Sequence, residues 1–344
     1  MPIFSHPEFD AHERVAFAFD AASGLRAIIA VHNTRLGRAL GGCRMWPYAS
    51  DDEALTDVLR LSRGMTYKAA LAGLPQGGGK SVIIGDPRRD KTPALLMAMA
   101  RFVDSFQGDY VIAEDSGTGV EDMRTMASVT SHVSGLHAGA HNGDPSPATA
   151  LGTFIGLRAA VRFAHGREDL KGLRVAIQGA GNVGSRLAGL LHQAGARLWV
   201  TDLHLPAVQR CVDRFGATAV PMERIHALDV DVFSPCALGA VLNAQTIPEI
   251  RARIVAGAAN NQLARPQDAQ LLQQCGILYC PDYVINAGGV IDIHYQGPGY
   301  DEAIVRRHLE RIGQTLTRIF ERARDGGQTT AEIADRMATE IFRA

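Results

Sequence analysis

In the first part of the chain, segments whose apolar residues have the two-residue spacing of strands alternate with segments that have the spacing of helices. Residues 14–33 alternate so that Val15 and Phe17 share one side, and Ser23 and Gly24 supply a turn between two strands. Further strands are predicted over residues 81–84 and 110–113, and helices over residues 93–106 and 118–130. This pattern is typical of an α/β domain.

A longer helix is predicted over residues 53–68, where apolar side chains recur on one face. Asp51 and Asp52 precede it and are suitable helix caps. The glycine-containing stretch at residues 40–44, which comes before these caps, is predicted as a loop.

A break rich in proline and glycine at residues 141–147 divides the chain. A long helix of small residues is predicted after it, over residues 148–165. Short apolar runs and helical patterns then alternate, which predicts a parallel sheet with helices around it. The predicted strands cover residues 173–178, 197–201, 230–233, 254–256 and 277–280, and the last two helices cover residues 300–325 and 329–342.

The most specific motif opens the second part. A strand-like run at residues 173–178 leads into a G-x-G-x-x-G pattern and then into a helical pattern, which is the context of a dinucleotide-binding loop. The glycines permit a tight turn and let a pyrophosphate approach the backbone, and the helix N-terminus favours its charge. The alternative is a glycine turn without a ligand. The loop comprises Gly179, Ala180, Gly181, Asn182, Val183 and Gly184.

The acid that follows this motif bears on cofactor choice. Asp202 comes directly after the predicted strand at residues 197–201. A carboxylate there accepts hydrogen bonds from a ribose 2′-OH and repels a 2′-phosphate. Leu203 and His204 follow it, without an adjacent arginine, so the sequence favours NAD over NADP.

Composition narrows the class of protein further. The chain has 344 residues, 46% hydrophobic and 21% charged, with a net charge of −1. These values fit a two-domain globular protein and show no electrostatic footprint for nucleic acid. No stretch reaches the ~20 apolar residues of a membrane span, so we expect no membrane partner. The five cysteines have no zinc-binding spacing, so no metal site is predicted, and they suggest free thiols in the cytoplasm.

The strongest candidate chemistry lies at residues 64–81, which contain two lysines in an almost uncharged stretch. Lys80 follows three glycines and precedes an apolar run. Burial there, with Lys68 as a second positive charge nearby, disfavours the ammonium form and would make Lys80 a usable base. The glycines would let a small ligand approach the backbone. The alternatives are a flexible turn with a solvated lysine, and an NTPase phosphate loop, whose glycine spacing is not matched here.

Two further polar positions remain ambiguous from the residues alone. Asp115 stands where a predicted strand ends and a helix begins, so it can face a cleft or simply cap the helix, and a cap is the simpler interpretation. Asn260 and Asn261 follow the strand at residues 254–256, where the ends of parallel strands face the ligand crevice. Their alternative is an asparagine-rich turn.

With these residues in place, the chain resembles the leucine/phenylalanine/valine dehydrogenase branch of the glutamate dehydrogenase superfamily. The resemblance extends from about residue 9 to residue 343, and its motifs occur in the family's order. They lie at residues 40–47, 67–68, 77–80, 113–115, 179–184, 259–263 and 281–290.

The resemblance implies a first α/β domain, residues 1–145, and a Rossmann-type NAD-binding domain, residues 146–328, with the active site in the cleft between them. It also implies that residues 329–344 return to the first domain and that the protein is a homo-oligomer. The implied reaction is the NAD-dependent oxidative deamination of an L-amino acid to a 2-oxo acid and ammonia.

The resemblance also assigns roles. Lys68 would pair with the substrate carboxylate, Lys80 would be the catalytic lysine, and Asp115 would exchange a proton with the substrate nitrogen. Other matched positions would contact the substrate or the nicotinamide; they are Gly41, Gly42 and Asn261 for the substrate, and Thr149 and Asn260 for the cofactor.

The family's side-chain pocket implies an aliphatic substrate. Its positions here are Leu40, Ala113 and Val290, with Ile293 one step beyond, and all are aliphatic. Leucine, valine and isoleucine are therefore the expected substrates, and glutamate would be rejected. The divergent run at residues 292–298 leaves open the same chemistry on phenylalanine or tryptophan. A binding protein that kept the fold without the chemistry is the rival from another class.

Overall fold

A computed structural model gives the fold and describes residues 3–136, 144–237, 239–297 and 299–344. The chain divides into two compact units. The described residues up to 136, with residues 296–297 and Ala338–Ala344, form the first unit, and Asp144–Tyr295 with Gly299–Met337 form the second. Ala338–Ala344, the last part of the predicted returning segment at residues 329–344, cluster with the first unit. Part of the predicted break, residues 141–143, lies outside the described residues.

The first unit is a five-stranded sheet between two layers of helices. The strands lie in the order β1-β2-β4-β3-β5, in which β2 is antiparallel to β1 and β4, and β3 is parallel to β4 and β5. Their bounds are β1 Arg14–Asp20, β2 Leu25–Asn33, β3 Ala39–Trp46, β4 Gly77–Ile84 and β5 Tyr110–Glu114, and the helices are α1 Asp51–Ala72, α2 Pro93–Asp104 and α3 Val120–Ala127, after a 3₁₀ turn at Ile3–Ser5.

Helix α1 covers one face of this sheet and helices α2 and α3 cover the other. Val58 and Leu59 of α1 pack with Ile28 of β2, which points to the α1 face. The next residue, Ile29, points to the opposite face and packs with Met99 of α2. Because successive strand residues point to opposite faces, the one sheet contributes to two separate apolar cores.

The capping prediction for α1 was wrong by one residue. Ser50 is the N-cap, with extended backbone, and its hydroxyl accepts a hydrogen bond from the Glu53 backbone N–H at 3.1 Å. Asp51 and Asp52 instead lie in the first turn, where their charges complement the helix dipole.

The glycine run at residues 77–79 is part of β4 and not a turn, because close neighbours leave no room for side chains. A Cβ on Gly78 would lie 2.0 Å from the Thr66 backbone nitrogen of α1, and one on Gly79 would lie 2.7 Å from the Tyr110 ring. These glycines therefore serve the packing of the strand against protein, where we expected an approach by ligand.

Residues 40–44 are likewise a strand, β3, and not the predicted loop. Here too the glycines permit a close approach between backbones. A Cβ on Gly41 would lie 1.8 Å from the Gly79 carbonyl oxygen of the neighbouring strand β4. Glycine is normally a weak strand former, so the local sequence favours a loop and the tertiary contact decides otherwise.

The second unit contains a six-stranded parallel sheet in the order β11-β10-β9-β6-β7-β8. Counted from β6, this is the 3-2-1-4-5-6 order of a Rossmann fold, with the reversal beside β6. The strands are β6 Arg174–Gln178, β7 Arg197–Thr201, β8 Thr218–Ala219, β9 Val232–Pro235, β10 Ile254–Val255 and β11 Leu278–Tyr279.

Eight helices belong wholly or partly to the described part of the second unit. Four of them were not predicted, because they are short or begin with exposed residues such as Leu205. The bounds are α4 Ser146–His165, α5 Asn182–Gln193, α6 Leu205–Phe215, α7 Asp268–Gln274, α8 Asp282–Ile285, α9 Gly288–Tyr295, α10 Glu302–Gly326 and α11 Thr330–Arg343, with 3₁₀ turns at Met222–Ala227 and Ile247–Glu249.

The two-domain α/β prediction is thus confirmed. No helix among the described residues combines the length and the apolar character that a membrane crossing requires.

The glycine packing of β4 can be tested with two substitutions of opposite expected sign. Gly78→Ala should lower the free energy of unfolding by about 2 kcal/mol, because the added methyl overpacks the contact with Thr66. Gly64→Ala is the matched control. It lies within helix α1, and its Cβ would meet nothing within 4 Å, so it should raise stability by about 0.5–1 kcal/mol. Urea unfolding would measure both, and destabilisation of equal size by the two variants would contradict this account.

Candidate functional site

Lys80 lies within strand β4 and is buried. It pairs with Ala30 of β2, and the residue is 6% exposed. Its Nζ lies 2.5 Å from Asp115 Oδ2. Both alternatives for this stretch are therefore wrong. A flexible turn does not fit a lysine inside a strand, and a phosphate loop would open a helix where β4 continues to Ile84.

Asp115 follows directly after β5, and a tight turn fixes its backbone. Its N–H donates to Thr118 Oγ1 at 3.1 Å, and the Thr118 hydroxyl donates to the Cys43 carbonyl oxygen at 2.8 Å. Helix α3 begins only at Val120, with Gly119 as its N-cap. The cap interpretation of Asp115 is therefore wrong, and its carboxylate is directed to Lys80.

Two cations act on the Asp115 carboxylate. Burial by itself would raise its pKa, but Lys80 and Arg44 outweigh that effect and hold the pKa well below its ordinary value. Arg44 Nε lies 3.3 Å from Asp115 Oδ2. The sequence argument for Lys80, based on burial and a second positive charge, thus left out the carboxylate that is its nearest charged partner.

Glycine is required beside this pair. A Cβ on Gly42 would lie 2.7 Å from the Asp115 Cβ and 3.1 Å from Lys80 Nζ. Gly42 pairs with Ala113 of β5, and the preceding Gly41 accepts a hydrogen bond from the Tyr110 hydroxyl at 2.8 Å through its carbonyl. The glycines of β3 therefore keep the space around the Lys80–Asp115 pair free of side chains.

The remaining predicted residues of the first unit lie on nearby elements. Leu40 of β3 and Ala113 of β5 are buried, at 7% and 5% exposure. Lys68 lies half-buried near the C-terminal end of α1. Because β4 residues two apart share a face, Lys80 points to the same side as Gly78, which is the side that α1 covers.

In the second unit, the glycine loop has the conformation that the motif predicts. Gly179 has a φ of 109°, which favours glycine, and a Cβ on Gly184 would lie 1.9 Å from the Gly179 carbonyl oxygen. By contrast, a Cβ on Gly181 would meet nothing within 4 Å. Helix α5 begins at the next residue, Asn182, so the free space beside Gly181 adjoins the N-cap of this helix.

Asp202 is held against this loop. Its Oδ2 accepts a hydrogen bond from the Ala180 N–H at 2.6 Å, and its Oδ1 accepts one from the His204 N–H at 2.8 Å. The carboxylate therefore has a fixed orientation at the end of β7, and each oxygen keeps capacity to accept a further hydrogen bond.

Asn260 and Asn261 lie in the loop after β10. The Asn260 Oδ1 accepts a hydrogen bond from Asn286 Nδ2 at 2.8 Å, and Asn286 is 5% exposed. Asn261 is exposed, has a φ of 51°, and accepts from the Ala240 N–H at 2.7 Å through its carbonyl. The backbone of these residues forms the asparagine-rich turn that was the alternative prediction. In addition, the hydrogen bond from Asn286 orients the Asn260 side chain.

Thr149 lies in the first turn of α4 and donates to the Pro145 carbonyl oxygen at 2.9 Å. It lies beside helix α9, because a Cβ on Gly289 would be 2.7 Å from its hydroxyl. Val290 of the same helix is buried and Ile293 is half-buried. The structure thus brings Thr149 close to the start of α9.

Sequence reasoning missed Arg44, Tyr48 and Asp57 as a connected group, and Asn286 as the partner of Asn260. The available signal was an acid, Asp57, between the apolar residues Leu55 and Val58 of a helix. Its partners lie on β3 and in the loop that follows, so only the tertiary fold reveals the pairing.

Comparison with known protein families gives matches over most of the chain. A family profile described as "Glu/Leu/Phe/Val dehydrogenase, dimerisation domain" matches residues 12–132, and one described as "Glutamate/Leucine/Phenylalanine/Valine dehydrogenase" matches residues 141–202 and 204–322.

Individual relatives span several substrates. The chain is 47% identical to leucine dehydrogenase from Geobacillus stearothermophilus, covering 99% of this chain and 93% of the relative. It is 45% identical to phenylalanine dehydrogenase from Thermoactinomyces intermedius, covering 99% and 94%. The crystal structure of L-tryptophan dehydrogenase from Nostoc punctiforme matches with a TM-score of 0.83 and 45% identity, covering 97% and 96%.

Proposed function

The chain belongs to the Glu/Leu/Phe/Val dehydrogenase family, and we propose that it deaminates the branched-chain amino acids leucine, valine and isoleucine. It is an oxidoreductase that converts an L-amino acid, NAD and water into a 2-oxo acid, ammonium, NADH and a proton. The observation that carries the proposal is the buried Lys80–Asp115 pair, since a base and an acid in contact are what this chemistry needs.

The residues of the second unit fit NAD. The space beside Gly181 and the N-terminus of α5 suit a pyrophosphate, and the fixed Asp202 carboxylate suits a ribose hydroxyl. Thr149 and Asn260 are proposed to act near the nicotinamide. When bound, NAD accepts the hydride that leaves the substrate Cα.

The residues of the first unit are proposed to handle the protons. Lys68 pairs with the substrate carboxylate, and Asp115 accepts a proton from the substrate nitrogen and later returns it, so that ammonia can leave. Lys80 Nζ takes one proton from the water that attacks the imine carbon, which leaves a carbinolamine hydroxyl, and the resulting ammonium stabilises negative charge that develops on that oxygen. Gly41, Gly42 and Asn261 are proposed to position the substrate. The 2.5 Å contact between Nζ and Oδ2 supports these roles, because it joins both groups in one proton path.

The preference for aliphatic substrates is supported by the proposed pocket residues. Leu40, Ala113, Val290 and Ile293 are all aliphatic, so an acidic substrate side chain would lose water without gaining a partner there. Ala113 also carries a methyl group where the family's phenylalanine-type members tend to have glycine.

The same chemistry on an aromatic amino acid is the second candidate. It is favoured by the identity to phenylalanine dehydrogenase and by the similarity to the solved tryptophan dehydrogenase. Tyr295 lies in the divergent run at residues 292–298 and could contact an aromatic substrate, and its hydroxyl lies 3.0 Å from His308 Nδ1. This contact gives the ring a fixed partner within its own unit.

Substrate choice can be tested with a panel of L-amino acids and NAD at alkaline pH, following NADH formation. Leucine, valine and isoleucine should have a higher kcat/KM than phenylalanine or tryptophan. Ala113→Gly should improve phenylalanine relative to leucine by about tenfold, since removal of a methyl in an apolar pocket is worth ~1–3 kcal/mol. Ala18→Gly, in strand β1 of the same sheet, is the matched control and should leave the ratio unchanged.

If kcat/KM for phenylalanine or tryptophan exceeded that for leucine by tenfold, the branched-chain assignment would be wrong. The assignment as an amino acid dehydrogenase would still stand. NAD binding without turnover of any amino acid would favour the non-catalytic alternative.

The proposed role of Asp202 predicts a cofactor preference. NAD should exceed NADP in kcat/KM by at least about tenfold, because the carboxylate repels the 2′-phosphate. Asp202→Asn keeps an acceptor but removes the charge, so it should shrink this preference, whereas Asp213→Asn on α6 should not. Equal use of both cofactors by the unaltered enzyme would show that another group, such as His204 or Arg210, receives the phosphate.

A homo-oligomer is proposed from the edge strand β1, where Phe17 and Phe19 are 62% and 76% exposed in the unit whose profile is named a dimerisation domain. Exposed aromatic side chains on an edge strand are typical of a surface that a partner covers. Light scattering should give a multiple of 36.9 kDa, and the mass of a single chain would refute this part of the proposal.

A further inference from the structure

Asp115 has a second cationic neighbour besides Lys80. Arg44 Nε lies 3.3 Å from Asp115 Oδ2, the same oxygen that Lys80 contacts at 2.5 Å. The Arg44 Nη1 donates to both carboxylate oxygens of Asp57, at 3.2 and 2.9 Å. The Tyr48 hydroxyl donates to Asp57 Oδ2 at 2.6 Å. These contacts join the loop after β3 and helix α1 to the carboxylate at the end of β5.

We propose that Arg44 is a positioning residue that keeps the Asp115 carboxylate aimed and ionised throughout the reaction. Asp57 and Tyr48 hold Arg44 in place. The inference rests on the proposed function, in which Lys80 and Asp115 exchange protons with water and substrate.

A permanent counter-ion is needed because Lys80 cannot be a base and a cation at the same time. While Lys80 Nζ is unprotonated and ready to take a proton from water, it offers no positive charge to Asp115. A guanidinium keeps its charge at any working pH. Arg44 faces its two carboxylates with different nitrogens. Its Nη1 hydrogen-bonds to Asp57, and its Nε lies within ion-pair distance of Asp115 without a hydrogen bond, so it attracts Asp115 by charge while Asp57 holds it.

The contacts through which Asp57 and Tyr48 hold Arg44 remain intact under assay conditions. The side chains of Arg44 and Asp57 are 20% and 22% exposed, so their ion pair is shielded from water on most sides. Burial, with Asp57 beside the hydroxyl, raises the pKa of Tyr48 far above its ordinary value. Tyr48 therefore stays protonated and remains a donor to Asp57 at every pH at which the enzyme is assayed.

The other charged groups around Asp115 do not replace Arg44. Lys91 on the loop before α2 is paired with Asp122 of α3 at 2.7 Å. Burial raises the pKa of the Cys43 thiol to about 12, so that group is neutral. Tyr110 of β5 also interacts with Asp115, and burial raises its pKa well above the ordinary value, so it too is neutral. Other titratable residues on the surrounding elements include Glu114, which precedes Asp115, and Lys68 of α1. Loss of Arg44 should therefore raise the pKa of Asp115.

The test compares the pH dependence of kcat/KM for leucine in the unaltered enzyme and in Arg44→Gln, Arg44→Lys and Tyr48→Phe. In Arg44→Gln the acid limb should move to higher pH, because loss of a fixed positive charge makes protonation of the Lys80–Asp115 pair more favourable. At pH 7 its kcat should fall by about tenfold or more, while the affinity for NAD stays within about twofold.

Arg44→Lys should recover part of the loss, and Tyr48→Phe should give a smaller shift in the same direction. Arg26→Gln, which removes an exposed arginine paired with Asp51 in the same unit, is the control and should change neither quantity. If Arg44→Gln does not fold, Arg44→Lys and Tyr48→Phe still provide the pH comparison.

Several results would overturn the inference. An unchanged acid limb in all three variants would show that Arg44 does not act on Asp115. A higher KM for leucine without a shifted limb would show that Arg44 contacts the substrate directly. If Asp115→Asn and Lys80→Ala kept full activity, the proposed site would be wrong. If those two variants lost activity while Arg44→Gln kept the normal pH profile, only the role of Arg44 would fail.

Discussion

The ion pair between Lys80 and Asp115 is the contact on which the arrangement of the first unit depends. Lys80 lies inside a sheet, where an ammonium without a partner would be very unfavourable. Removal of one partner from a buried pair typically costs about 3–5 kcal/mol, because the other charge is left without compensation. The carboxylate must therefore reach the lysine, and this requirement fixes where β5 ends and how the turn to α3 is built.

The glycines around this pair follow from the same constraint. Gly42 leaves space for the Asp115 carboxylate and the Lys80 ammonium, and Gly41 and Gly78 let neighbouring backbone approach strands β3 and β4. Side chains at these positions would push apart the elements that carry the two charges. The close packing thus holds two reactive groups in fixed positions on a rigid sheet, which is the preorganisation that catalysis by proton transfer requires.

Much of this could be predicted from the sequence, and the failures have identifiable physical causes. The Rossmann unit was predictable because its glycine loop, strands and Asp202 follow one another locally in the chain. The strands containing Gly41 and Gly77 were not, because glycine has a low strand propensity and only tertiary contacts with Gly79 and Asn33 explain its presence. Asp115 could not be distinguished from a helix cap without knowledge of where α3 begins. Arg44, Tyr48 and Asp57 form contacts between separate elements, which no local pattern encodes.

The central claim is that Lys80 performs the proton chemistry while the second unit binds NAD independently. The most direct measurement is kcat for leucine in Lys80→Ala, together with calorimetric titration of the same variant with NAD. We expect kcat to fall by about 100-fold or more, since a general base and an oxyanion partner are lost together, and NAD affinity to stay within about twofold. Lys91→Ala, which removes another lysine paired with an acid in the same unit, should keep normal activity. A Lys80→Ala variant that keeps a tenth of the original kcat would contradict the account.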